Sequence, residues 1–174
     1  MTIIESASVP GMKDRPSGIT ALDERIPFLL SQLGAHVAGE FHRRMSGIGV
    51  QPRTYAVLMA LATEDGQSQR RLSARLGIHR NAMVTVIDVL EADGLVKRRA
   101  HPDDRRAFAI TLTDRARKLL PDLDEAGRAL EDTIAAPLSD AERNTLRELL
   151  QRIAGGADLI PGVHPDLARD ALNC

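Results

Sequence analysis

The sequence predicts a mainly α-helical fold with a small β-hairpin. Three observations carry that expectation. Apolar residues recur at spacings of three and four along most of the 174 residues, the period of helices that bury one face. Two short β-like runs, Leu95 to Arg99 and Ala107 to Leu112, flank the charged turn "HPDDRR". Gly77 separates two short helical segments at a point where the chain must turn sharply.

Each element follows from local signals. From Ile19 to Met45 the apolar residues Leu22, Ile26, Leu29, Leu30, Leu33, Val37 and Phe41 keep helical spacing, and Pro27 either begins the main helix in its first turn or kinks it. "SGIGVQP" ends this segment, and Pro52 opens a helix to Ala62 with Leu58, Leu61 and Ala62 on its apolar stripe. After "TEDGQS", Ser68 can cap a helix over Gln69 to Arg75 that turns Leu72 and Leu76 inward. The next helix, His79 to Ala92, places Met83, Val86, Ile87 and Leu90 on one face and Arg80, Asn81, Val84, Thr85 and Asp88 on the other. Gly94 stops it before the hairpin. Thr113 can cap a long helix from Asp114 to about Ala135, in which Pro121 predicts a bend. Ser139 to Glu142 fits the S-x-x-E capping box and opens a helix with Leu146, Leu149, Leu150 and Ile153 on one face. A short helix is expected after Pro165.

Composition bounds the function. Hydrophobic residues are 43% and charged residues 27%, the balance of a globular chain rather than a disordered or membrane one. The start, "MTIIESASVPGMKDRPSG", lacks an apolar core of signal-peptide length, so a flexible arm over residues 1–18 and a cytoplasmic location without membrane contact are expected. The rest divides into an N-terminal helical region at 19–50, a compact middle at 51–112, C-terminal helices at 113–154 and a tail at 155–174. The single cysteine, Cys174, rules out an internal disulfide framework and a cysteine-based zinc site.

Charge is uneven along the chain. Residues 68–118 hold 12 Lys and Arg against 6 Asp and Glu, while the remainder holds 11 against 18. An acidic body with one basic segment is the footprint of a polyanion binder. Two short helices joined at a glycine turn and followed by a hairpin form a winged helix-turn-helix, whose second helix can enter a major groove. His79, Arg80 and Asn81 can then reach base edges or phosphates, and Val84 or Thr85 can offer a methyl to thymine. Ser68 and Gln69, with the backbone N–H groups beside them, can hold a phosphate. In the wing, Arg106 is the expected minor-groove probe and Asp104 its orienting partner, with Arg98, Arg99 and Arg105 neutralising phosphates.

The stretch Ser68 to Asp114, "SQRRLSARLGIHRNAMVTVIDVLEADGLVKRRAHPDDRRAFAITLTD", resembles the MarR family (multiple antibiotic resistance regulators) of bacterial winged-helix transcription factors. The pieces "SQRRLSARLGI", "LEADGLVKRR", "PDDRRA" and "LTD" match the family pattern in order and spacing, and the likeness extends more loosely over residues 20–153. The resemblance implies a ligand-responsive repressor that binds a palindrome in double-stranded DNA as a homodimer, the two chains interlocking through their terminal helices. Those helices carry more apolar surface than a domain of about 65 residues can cover, so Leu22, Ile26, Leu30, Leu33, Leu146, Leu149, Leu150 and Ile153 are the expected dimer interface. It further implies a small-molecule effector, for which His36, Arg53 and Tyr55 are the candidate polar contacts. Aromatic residues number four, Phe28, Phe41, Tyr55 and Phe108, which speaks against a pocket built on stacking. Oxidant sensing through a cysteine in the N-terminal helix does not fit, because no cysteine stands there.

Rival readings carry less. His101 beside Asp103 and Asp104 would suit acid–base chemistry only in a desolvated, ordered site, and a turn tip provides neither; no enzyme activity is expected. The five histidines, His36, His42, His79, His101 and His164, lack metal-ligand spacing, and no cofactor-binding loop is present. A protein-interaction module that never meets DNA, or a metal-responsive regulator without a small-molecule effector, are the alternatives; the first sits poorly with the basic segment.

Overall fold

The fold is that of a computed structural model, which describes residues 18–100 and 107–169. The chain divides into two compact units, Met1–Val37 and Ala38–Cys174.

In the first unit a single turn of helix, α1 (Thr20–Asp23), buries nothing. α2 (Ile26–Gly47) begins directly after it and runs across the division. Pro27 lies in its first turn, where a missing backbone donor costs nothing. The start of a helix, rather than a kink within one, is thus the outcome of the two sequence alternatives. Ile26 and Leu33 are more than half exposed.

The second unit is built around one apolar cluster that includes Leu58, Leu61, Leu72, Met83, Ile87, Leu90, Val96, Ile110 and Leu123. α3 (Pro52–Thr63) opens with reciprocal bonds between Gln51 and Thr54: the Gln51 amide donates to Thr54 Oγ1 at 3.1 Å, and that hydroxyl donates to the Gln51 carbonyl at 2.9 Å. Leu58 and Leu61 are buried, but Ala62 faces out. Next come β1 (Gln67–Ser68), α4 (Gln69–Leu76) and α5 (Arg80–Ala92). β2 (Val96–Ala100) and β3 (Phe108–Leu112) pair antiparallel with Val96 opposite Leu112 and Arg98 opposite Ile110.

The sheet has three strands in the order β1-β3-β2, not the two expected. β1 is two residues long, too short for any alternation to register in the sequence, and pairs Gln67 with Ile110 and Ser68 with Ala109. Gln67 is buried, and its side-chain amide donates to the Ala60 carbonyl at 3.1 Å and the Glu64 carbonyl at 2.7 Å. The Ala60 carbonyl also accepts from the Glu64 amide at 3.1 Å, and Glu64 is the residue that caps the end of α3, so one glutamine fastens the sheet edge to the C-terminal end of that helix.

α6 (Asp114–Ile134) is continuous through Pro121, and α7 (Asp140–Gly156) and α8 (Asp166–Arg169) follow. Both capping predictions hold. Thr113 Oγ1 accepts from the Ala116 amide, and Ser139 and Glu142 exchange the two bonds of a capping box. Among the described residues, no helix is long and apolar enough to cross a membrane.

Candidate nucleic-acid interface

The site starts from the cap of α4. Ser68 is extended and its Oγ accepts from the Arg71 amide at 3.2 Å, which aims the first turn of α4 outward with Gln69 half-buried beside it. α4 ends at Gly77, whose φ of 63° is left-handed, a conformation costly for any residue with a Cβ. This sharp turn redirects the chain into α5.

His79 is the cap of α5 rather than its first residue. Its Nδ1 accepts from the Asn81 amide at 3.3 Å. An imidazole that accepts at Nδ1 carries its proton on Nε2, so that nitrogen is a donor. α5 buries Met83, Val86, Ile87 and Leu90. Arg80, Asn81, Val84, Thr85 and Asp88 are all exposed on the opposite face, Val84 by 42%. The helix thus has one face fixed by packing and one polar face left to solvent.

Arg98 reaches from β2 to the C-terminal half of α5. Its guanidinium pairs with Asp88 at 2.5 Å and also with Glu91, while its backbone amide donates to Glu91 at 3.2 Å. Burial opposes its charge, but the bonds to Asp88 and then Glu91 outweigh that and raise its pKa. From sequence Arg98 is expected on a phosphate. In the fold its charge is answered within the chain, and it ties the hairpin to α5. Its partners stand ten and seven residues earlier, a pairing that only the folded hairpin brings about. Arg99 points outward, exposed, on the adjacent strand position. Asp104, Arg105 and Arg106, with His101 and Asp103, lie outside the described residues.

A second tie supports the base of the hairpin. Asp65 accepts from the Leu112 amide at 2.9 Å and the Gly66 amide at 3.0 Å, and its other oxygen pairs with Arg117 on α6. Neither Asp65 nor Gln67 carries a functional signal in the sequence, where "DGQS" reads only as a turn. Arg71 and Arg75 of α4 both pair with Glu64, at 2.9 and 3.8 Å.

The remaining predicted residues stand on α1, α2, α3 and α7. Tyr55 is half-buried on α3, its ring edge-on to Phe41 at 5.1 Å between centroids. Burial, and behind it the charge of Asp124, raise its pKa, so its hydroxyl is a neutral donor. Arg53 is half-buried on the same helix, and His36 is exposed on α2. Leu22, Ile26, Leu30, Leu33, Leu146, Leu149, Leu150 and Ile153 are between 36% and 66% exposed. Among the described residues no cluster of three or more His, Cys, Asp or Glu could hold a metal ion.

Comparison with known proteins gives the arrangement a family. A family model described as the MarR family matches residues 48–107. A Thauera aromatica protein named as a transcriptional regulator for the hcr operon is 35% identical over 105 residues, 60% of this chain and 63% of that protein, so the match spans less than two thirds of its length. CouR from Rhodococcus jostii RHA1, solved bound to p-coumaroyl-CoA, is 33% identical, covering 78% of this chain and 96% of that one at a TM-score of 0.66. The repressor CouR bound to a 23-mer DNA duplex is 28% identical, over 80% and 99% of the two chains, at a TM-score of 0.70. A MarR family transcriptional regulator from Rhodococcus sp. RHA1 is 32% identical over 79% of this chain and 96% of that one, at a TM-score of 0.65. The helix-turn-helix, the wing strands and this likeness over nearly the whole of two solved regulators agree: the chain belongs to the MarR family of DNA-binding transcription regulators.

Proposed function

We propose that this protein is a ligand-responsive repressor that binds a palindromic operator as a homodimer. The observation that carries the reading is α5, with four side chains buried on one face and five polar or methyl-bearing residues exposed on the other, within the basic segment of an otherwise acidic chain. Arg80, Asn81, Val84 and Thr85 are then the base-reading residues, with His79 donating from Nε2. Ser68, Gln69 and Arg99 contact phosphates, and Arg105 joins them from the wing. Asp104 orients Arg106 into the minor groove. Arg98 fixes the hairpin against α5 so that these contacts share one register. A two-fold dimer presents two such heads, which is why the operator is palindromic.

The exposed apolar residues of α2 and α7 are proposed to be covered by a second copy of the chain. A small molecule is the proposed effector, a reading supported by CouR having been solved with p-coumaroyl-CoA; His36, Arg53 and Tyr55 are its proposed polar contacts. The protein works in the cytoplasm and carries out no reaction of its own.

The test is binding to a duplex chosen by in vitro selection. Affinity falls steeply with salt, as it must when several phosphates are neutralised. Arg106→Ala costs about 1–3 kcal/mol per subunit in specific binding and leaves the fold intact. A salt-independent interaction, or an unchanged affinity in Arg106→Ala, overturns the reading and favours a protein partner.

A further inference from the structure

The segment after α7 belongs neither to the reading head nor to the apolar face of α7, yet it folds back onto the head. α7 stops at Gly156, and the Leu159 amide donates to the Ala154 carbonyl at 3.1 Å. Asp158 takes a left-handed φ of 53° and Gly162 one of 71°, so the chain reverses twice within five residues. The Val163 amide then donates to the Ile160 carbonyl at 3.1 Å, and His164 Nδ1 accepts from the Asp166 amide at 3.2 Å at the start of α8.

Three apolar side chains come off this track toward the head. Leu167 is only 9% exposed and belongs to the same buried cluster as Leu72, Leu76 and Ile78. Val163 packs against that cluster. Ile160 lies over the turn itself: its Cδ1 is 3.9 Å from where a Cβ on Gly77 would stand. Gly77 has no side chain to fill that space, and the turn it makes sets the entry of α5.

We infer that residues 157–169 form a strap that ties the end of α7 to the turn between α4 and α5, making Ile160, Val163 and Leu167 positioning residues for DNA reading. The inference rests on α5 being the helix that faces DNA. A glycine turn in a left-handed conformation is a place where two short helices can hinge. Apolar cover from a distant segment raises the free energy of that opening, because the hinge must expose the covering side chains to water. The strap also joins the reading head to the helix proposed to carry the dimer contacts, so the spacing of two recognition helices depends on it.

Hydrogen exchange on the full chain, without DNA, tests the strap directly. In Ile160→Asp and Leu167→Ala, amides of residues 76–82 exchange about tenfold faster than in the wild type, while those of α3 keep their rates. Wild-type exchange at 76–82 in both variants overturns the inference. Should Leu167→Ala loosen α3 as well, Ile160→Asp decides, since Ile160 is 51% exposed and its loss does not open the core. The second measurement is affinity for a duplex selected with the wild type, expected to fall about tenfold in Ile160→Asp with the sedimentation coefficient unchanged. Faster exchange with undiminished affinity overturns the positioning role. A wild type that selects no duplex overturns the reading of α5 instead, and the exchange result still stands for or against the strap.

Discussion

α5 and α7 are both amphipathic helices, and the chain treats them in opposite ways. α5 has 13 residues and buries Met83, Val86, Ile87 and Leu90. α7 has 17 and buries none: Leu146, Leu149, Leu150 and Ile153 remain 40–50% exposed. An apolar stripe states that a helix needs covering without saying by what. For α5 the cover comes from α3, α4 and the sheet of the same chain. For α7 none of the described residues supplies it, and contiguous exposed leucines on a helix face mark an interaction surface. The head is a finished domain, whereas α7 carries an exposed apolar face, as its proposed place in a dimer requires.

The sharpest way to break this comparison is to charge α7. Leu149→Glu is expected to abolish the dimer, because each carboxylate buried without a partner costs about 3–5 kcal/mol and a two-fold interface meets it twice. The head keeps its fold, since α7 contributes nothing buried to it. Sedimentation velocity reads the first expectation and circular dichroism the second; an intact dimer at micromolar concentration contradicts the assignment of α7.

The converse change sharpens it. Leu90 is fully buried on the inner face of α5, and Leu90→Ala is expected to destabilise the head by about 2–5 kcal/mol through lost transfer energy and the cavity left behind. Chemical denaturation measures the loss. Association through α7 persists under native conditions, so the two variants separate folding from assembly. A Leu90→Ala protein as stable as the wild type would mean that the head is held together by a partner, as is proposed for α7.

The sequence displayed the elements better than their connections. Helical spacing at Met83, Val86, Ile87 and Leu90 predicts the buried face of α5 without error, because the period is strong and the caps are local. β1 escapes notice because Gln67 and Ser68 make a strand only by lying beside Ile110 and Ala109, more than 40 residues away. The role of Arg98 is hidden for the same reason: "KRR" reads as a basic run until the hairpin folds and Asp88 and Glu91 arrive beside it. Val163 and Leu167 are harder still, since single apolar residues in a tail rich in proline and glycine have no period to reveal which way they face. On the candidate site, the polar face of α5 was legible residue by residue, and what orients it was not.

The finest test concerns how α7 is held by its own chain. The Glu142 carboxylate accepts from the Ser139 amide at 2.8 Å and from the Ser139 hydroxyl at 2.6 Å. Both bonds favour the ionised form, the hydroxyl first and the amide second, and together they outweigh the small opposing effect of burial; the pKa of Glu142 therefore lies below its ordinary value of 4.5. On unfolding the bonds are lost and that ordinary value returns. The native state thus binds fewer protons than the unfolded one in the acid range, so the contribution of this group is whole above pH 4.5 and is lost as the pH falls through the lowered folded value. Glu142→Gln keeps an acceptor at the third helical position but cannot titrate. The wild type is expected to melt slightly above Glu142→Gln at neutral pH, with the difference shrinking once the pH drops well below 4.5. Every other carboxylate titrates alike in the two proteins and cancels from the comparison. A difference in melting temperature that is the same at neutral and acid pH would show that the cap works through hydrogen bonding alone, leaving α7 without an acid-sensitive hold from its own chain.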